Sequence, residues 1–334
     1  MRGGGERRMR LVSIFDTNVY RSLGDSAFEE IRRAERNHSV LGYANYATVT
    51  ELLAHFGDPS EDDIGPALAA GARLIEHCAH YDGRARIVRF ISPPIEQIAY
   101  RLFGTKPPPS GDPDVYAELL GRWVVEPNSR EHLRDSVREI AARSTQLREA
   151  YVDELWTNVV CTLVPEAEAW SDVTADTPQR RALLAGIRTG AGLPYLALQI
   201  ATEAASLLSP RLVEIDPNKV VPAVRKHYQL LLEYRNLVIE KLIMNGPDMR
   251  RRDRANGTFD IIVCGAMDGE AKIGGAPAVL VTDDRDILSA ADRSGLRWEV
   301  LAPDEYVALL KSDNERFVEL VDELLIRQQE RATA

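Results

Sequence analysis

Two short apolar runs near opposite ends of the chain each break on acids, and this pairing limits the fold more than any other feature. Residues 11–15, LVSIF, are rich in β-formers and read as a buried strand. The run stops at Asp16, followed by Thr17 and Asn18, which favour caps and turns. Residues 278–287, AVLVTDDRDI, repeat the pattern, with Val and Leu giving way to Asp283, Asp284 and Asp286. Taken alone, Asp16 is accounted for as a helix N-cap. Taken together, two buried strands deliver carboxylates at their C-terminal ends. In a parallel sheet those ends share one edge, where ligands collect in open α/β folds. Carboxylates converging there repel one another unless a cation sits among them. With no paired His or Cys beside them, these oxygen donors suit Mg2+ or Mn2+.

Two further acids lie in helix-like stretches. Glu51 falls in residues 48–56, TVTELLAHF, with Leu52, Leu53 and Phe56 as the apolar side. Asp260 opens the apolar, small-residue segment 258–267, TFDIIVCGAM. The ordered set Asp16-Thr17-Asn18, Glu51, Asp260 and Thr282-Asp283-Asp284-Arg285-Asp286 resembles the PIN-domain nucleases. In that family a first strand ends in D-x-N, a Glu sits on an early helix, an Asp opens a later helix and a strand ends in T-x-D-x-D. The resemblance covers residues 1–59 and 246–334. It implies an α/β fold: a discontinuous PIN-like parallel-sheet sandwich with helices on both faces. Residues 60–245 lie outside it and read as a large all-helical insertion, placed as a wall or lid beside the acidic edge.

The resemblance also implies an activity, hydrolysis of phosphodiester bonds in single-stranded RNA to leave a 3′-hydroxyl and a 5′-phosphate. Asp16, Glu51, Asp260 and Asp284 become the catalytic acids and metal ligands, with Glu51 binding directly, through water, or orienting the attacking water. One of Asp283 and Asp286 is a further ligand, with Asp286 otherwise the cap of the following helix. Asn18, Thr282 and Asp283 are placed to orient the ligands through hydrogen bonds. Arg250, Arg251, Arg252 and Arg254, in the densest basic run, stand just before the Asp260 segment as a phosphate clamp, or else as a solvated loop. Lys219, Arg225 and Lys226 are weaker candidates for the same role.

With 41 basic and 51 acidic residues and a net charge of −10, the surface as a whole is not built for non-specific nucleic-acid binding. A local basic track remains compatible with that balance. No apolar stretch reaches the length of a membrane span, and the basic, Gly-rich residues 1–10 read as a loose tail that lacks the signal-peptide pattern. Three scattered cysteines fit reduced thiols in a cytoplasm. His77, Cys78 and His80 have no second ligand pair at useful spacing, so no zinc site is expected.

Helices are expected over 26–36, 64–78, 129–163, 178–208 with a break near 190–194, 222–244, 303–310 and 314–327. Strands are expected over 40–43 and 296–301. The functional reading is thus a metal-dependent endoribonuclease acting on RNA. It could be a toxin with an antitoxin or other protein partner, or an RNA-processing or defence nuclease, and a homodimer is compatible with either. One alternative is a catalytically weak PIN-like scaffold that binds RNA or protein. Another is a different Mg2+-dependent phosphate-handling α/β enzyme, of phosphatase or receiver type. The latter lacks a phosphate-cradling Gly loop here and leaves Glu51 without a role.

Overall fold

The computed structural model describes residues 11–57, 64–82, 85–91, 94–108, 112–208, 213–247, 257–269, 272–273 and 275–333. The fold is mixed α/β and mostly helical, built on a small sheet of four parallel strands. Strand β1 is Leu11–Phe15 and β2 is Val40–Tyr43. A hairpin follows, β3 (Ala79–Asp82) with β4 (Ala85–Val88), then β5 (Lys272–Ile273), β6 (Ala276–Val281) and β7 (Val300–Leu301). The parallel order is β2-β1-β6-β7, with the short β5 antiparallel to β6. In the central pair Phe15 stands opposite Val281, so the residues that follow both strands emerge side by side.

Alternation along the strands divides the interior into two cores, one on each face of the sheet. Val12, Ile14, Ala278 and Leu280 point into one, and Leu11, Phe15, Val279 and Val281 into the other. Helices cover both faces, which is why β1 and β6 are buried throughout rather than alternately. Residues between 60 and 245 line both cores: Leu74, Leu120 and Val137 one, Leu155, Ile200 and Ile239 the other.

The helices begin and end where local chemistry dictates. The helix Asp25–His38 closes on Ser39, whose left-handed backbone (φ 60°) lets its N–H reach the carbonyls of Glu35 and Arg36. The Glu51 helix runs Tyr46–Gly57, started by Asn45, whose side chain accepts the Ala47 N–H at 2.8 Å. The helix Arg130–Leu155 continues through a π-turn at Trp156–Val160 into Cys161–Leu163, matching the long amphipathic stretch.

Three local expectations need correction. The middle segment is not wholly helical, because the β3–β4 hairpin interrupts it. The pair Asp82-Gly83 was its signal, flanked by residues of strand propensity. The chain leaving this hairpin meets the sheet edge, where Ala44 exchanges backbone hydrogen bonds with Arg89 (2.8 Å) and Ile91 (3.0 Å). Second, the stretch 222–244 is two helices, Pro217–His227 and Gln229–Asn245, divided at the buried Tyr228. The Asp268 carboxylate accepts the Leu231 N–H at 2.8 Å and so caps the second helix from outside the local sequence. Third, the last strand is only Val300–Leu301, since Leu296 and Glu299 spend their N–H groups on turns to Ala291 and Leu296. Among the described residues no helix is long and apolar enough to cross a membrane.

Candidate active site

The parallel register of β1 and β6 decides the centre of the site. Asp16 leaves β1 with its N–H on the Val281 carbonyl (3.0 Å), beside Thr282 leaving β6. The Thr282 hydroxyl donates to Asp16 Oδ2 at 3.0 Å and accepts the Asp284 N–H at 3.0 Å, so one buried hydroxyl spaces two of the acids. The other oxygen of Asp16, Oδ1, accepts the Thr17 N–H at 2.7 Å, at the head of the short helix Thr17–Ser22. Asp284 caps the helix Arg285–Ser294, its Oδ1 taking the N–H groups of Asp286 (2.7 Å) and Ile287 (3.1 Å). The capping role falls on Asp284 and not on Asp286.

Asp260 and Glu51 arrive on helices. The Asp260 helix, Gly257–Gly269, packs against the Glu51 helix and carries its acid in the first turn. Asp260 Oδ2 accepts a hydrogen bond from the Tyr234 hydroxyl at 2.7 Å. Glu51 is buried, and Thr48 one turn earlier bonds the Phe15 carbonyl at 3.5 Å, tying this helix to the end of β1. His55 Nε2 lies 3.8 Å from Glu51 Oε1 and 3.1 Å from Arg21 Nη1.

The charges show that these acids share one environment. Burial first, and then repulsion from Glu51 and Asp284, lifts Asp16 to about 7 against the donors Thr282 and Thr17. Burial, and then Asp16, Asp284 and Glu51, push Asp260 well above the ordinary carboxylate range. Burial also raises Asp284, opposed by its two cap N–H donors. Each of these three aspartates is held by protein donors and still keeps lone pairs open, since an ionised carboxyl offers about four acceptor sites. Oxygen-only donors in a deficit of positive charge fit a hard divalent cation such as Mg2+ or Mn2+. No group of three or more His, Cys, Asp or Glu among the described residues is gathered at metal-ligating spacing.

The remaining candidates separate from this set. Asp286 is already paired with Lys241. Asp283 is exposed. Asn18 is half-buried on the first turn after Asp16. Arg250, Arg251, Arg252 and Arg254 lie outside the described residues. Tyr234, Lys241 and Asn45 were not anticipated from sequence. Asn45 follows β2 as Asp16 follows β1, each two residues beyond the Ile14–Tyr43 pair. Its Nδ2 is buried without a hydrogen-bond partner among the described residues, as is Thr17 Oγ1. No pattern marks such residues, whose roles come from neighbours distant in sequence.

A second polar cluster lies on the other face of β1. Ser13 Oγ donates to Glu35 Oε1 (2.9 Å), which also accepts from Tyr306 OH (2.7 Å) and from His77 Nε2 (3.0 Å). His77 Nδ1 meets Tyr20 OH at 2.6 Å, and Arg32 pairs with Glu35 Oε2. His77 and Glu35 are each 0% exposed. His77 is therefore committed to this ion pair. The cluster is closed to solvent and structural. Compared with family models, with curated proteins and with solved structures, the chain matches none.

Proposed function

We propose that the chain is a metal-dependent endoribonuclease of PIN type, hydrolysing phosphodiester bonds of single-stranded RNA at Asp16, Glu51, Asp260 and Asp284. One observation carries the reading: Asp16, at the end of β1, and Asp260, on a helix, are buried close enough to Glu51 and Asp284 that, after burial itself, these neighbouring charges raise the proton affinity of both. Such crowding is costly without a compensating cation. The ordered motifs supply the link to RNA.

A divalent cation held there supplies an activated water near neutral pH and charge stabilisation on the scissile phosphate. The protein's own part is positional. Thr282 fixes Asp16 relative to Asp284, and the helix cap fixes the rotamer of Asp284. Burial and neighbouring charge raise the proton affinity of Asp16 and Asp260, so a cation bound there competes with protons for the same oxygens. The scaffold alternative is favoured by one observation, the absence of a ligating trio among the described residues.

The deciding experiment is cleavage of a panel of single-stranded and structured RNA and DNA with Mg2+, with Mn2+ and with EDTA, beside Asp16→Asn. Metal-dependent RNA cleavage lost in the variant supports the nuclease. A folded protein that neither cleaves nor binds Mn2+ supports the scaffold.

A further inference from the structure

We propose that Tyr234, from the helical segment outside the nuclease motifs, is a positioning residue that holds Asp260 for the divalent cation. The inference rests on the nuclease reading and extends it to a fifth residue. Asp260 is buried in the same surroundings as Asp16, Asp284 and Glu51, so its carboxyl must be held in place if it is to serve a cation together with them. The Tyr234 hydroxyl, buried with its ring, donates its single proton to Asp260 Oδ2 at 2.7 Å. That bond restrains the carboxyl and leaves Oδ1 unclaimed by Tyr234.

The hydroxyl can act this way only if its own helix is fixed, and three ties fix it. The helix Gln229–Asn245 packs on both the Asp260 helix and the helix Arg285–Ser294. At its start the Leu231 N–H is anchored to Asp268, which lies about two turns beyond Asp260 on the same helix. Lys241 stands two turns beyond Tyr234, on the same helix face, and pairs with Asp286. The middle segment thus reaches two acid-bearing helices from one face. Tyr234 is also rigid compared with a Lys or Gln in that place, having few rotatable bonds to lose.

The test is Mn2+ affinity, measured by electron paramagnetic resonance on the full chain, for wild type, Tyr234→Phe, Asp260→Asn and the double variant. Loss of an outer hydrogen bond to a metal ligand typically costs about 10–100-fold in affinity, and that loss is expected in Tyr234→Phe. Because Tyr234 acts through Asp260, the double variant should bind no more weakly than Asp260→Asn alone. Replacing Tyr234 with 4-aminophenylalanine keeps a para donor and should return affinity towards wild type. Wild-type affinity in Tyr234→Phe, additive losses in the double variant, or no recovery with the amino ring would each overturn the role of Tyr234. Wild type binding Mn2+ no better than Asp16→Asn would instead overturn the underlying metal site.

Discussion

The Thr282 hydroxyl reaches Asp16 Oδ2 across 3.0 Å, joining residues 266 positions apart. The same oxygen accepts the Asp284 N–H at 3.0 Å, so removing it loosens two acids at once. Thr282→Val keeps the shape and deletes both bonds. The part-buried Asp284 N–H and a buried Asp16 oxygen would lose their partner, at about 1–3 kcal/mol of stability. Cleavage should fall by about 10–100-fold, as for other residues that orient metal ligands. Single-turnover cleavage and urea unfolding of the same preparation check both parts. Unchanged cleavage in a folded variant would remove Thr282 from the site.

Asp16→Asn should separate activity from stability. The ionised Asp16 is disfavoured by burial and by Glu51, and its pKa is raised to about 7. An acid whose folded pKa lies above its unfolded value destabilises the fold as pH rises from about 3.8 through about 7. The neutral amide escapes this penalty and still accepts the Thr17 N–H. In EDTA at pH 8 the variant should therefore melt higher than wild type, while its cleavage is abolished. In saturating Mn2+ the order should reverse, because the cation stabilises only the chain that binds it. Thermal melts at pH 4 and pH 8, with and without Mn2+, decide it. A variant that melts lower than wild type in EDTA at pH 8 would show that Asp16 is not under charge strain.

What could be read from sequence was whatever depends on short windows. Strand β1 and the helix of Glu51 announce themselves by β-branched residues or helical spacing, and their ends by Asp16 and Gly57. The meeting of Asp16 with Thr282 follows from a parallel register, which two similar strand ends already suggest. Tyr234 could not be found this way. It stands in a helix of mixed apolar and charged residues, and only the packing of two helices selects its hydroxyl. Glu35 was equally hidden, one acid in a run of charged residues, yet the one that turns inward to His77. The break at Tyr228 depends on a cap from Asp268, which no local reading supplies.

The Glu35–His77 pair sets a pH window for stability. Burial would raise Glu35, but His77 and Arg32 overcome it and hold the carboxyl at about 2. Burial would lower His77, but Glu35 and Cys78 overcome it and lift the imidazole to about 9. The His77 contribution is complete below about 6.5 and fades as pH rises towards 9, whereas the Glu35 contribution is complete above about 4.5 and fades towards pH 2. The pair therefore stabilises most between about pH 4.5 and 6.5. Glu35→Gln leaves a buried imidazole without its counter-charge, and breaking such a pair costs about 3–5 kcal/mol. The gap between wild type and variant, measured by urea unfolding, should be widest in that window and narrow by pH 9. A gap constant from pH 5 to pH 9 would show that the pair is not ionised.

The junction of the Glu51 helix with the long helix Arg130–Leu155 should tolerate no side chain at Gly57. A Cβ there would lie 2.3 Å from the Val137 carbonyl oxygen and 2.7 Å from its carbon. Both are backbone atoms, and Val137 is itself fully buried, so no flexible side chain can swing aside. Gly57→Ala must push the two helices apart, an overpacking that costs about 1–3 kcal/mol. Glu51 rides on the same helix, so Mn2+ affinity should fall together with stability. Gly121→Ala is the matched control. It lies inside the helix Asp112–Val125 with nothing within 4 Å of an added Cβ, where Ala in place of Gly stabilises by about 0.5–1 kcal/mol. Opposite shifts in the urea midpoint, with Mn2+ affinity lost only in Gly57→Ala, would show that the helical segment sets the position of Glu51. Equal affinity in both variants would show that the site does not depend on that junction.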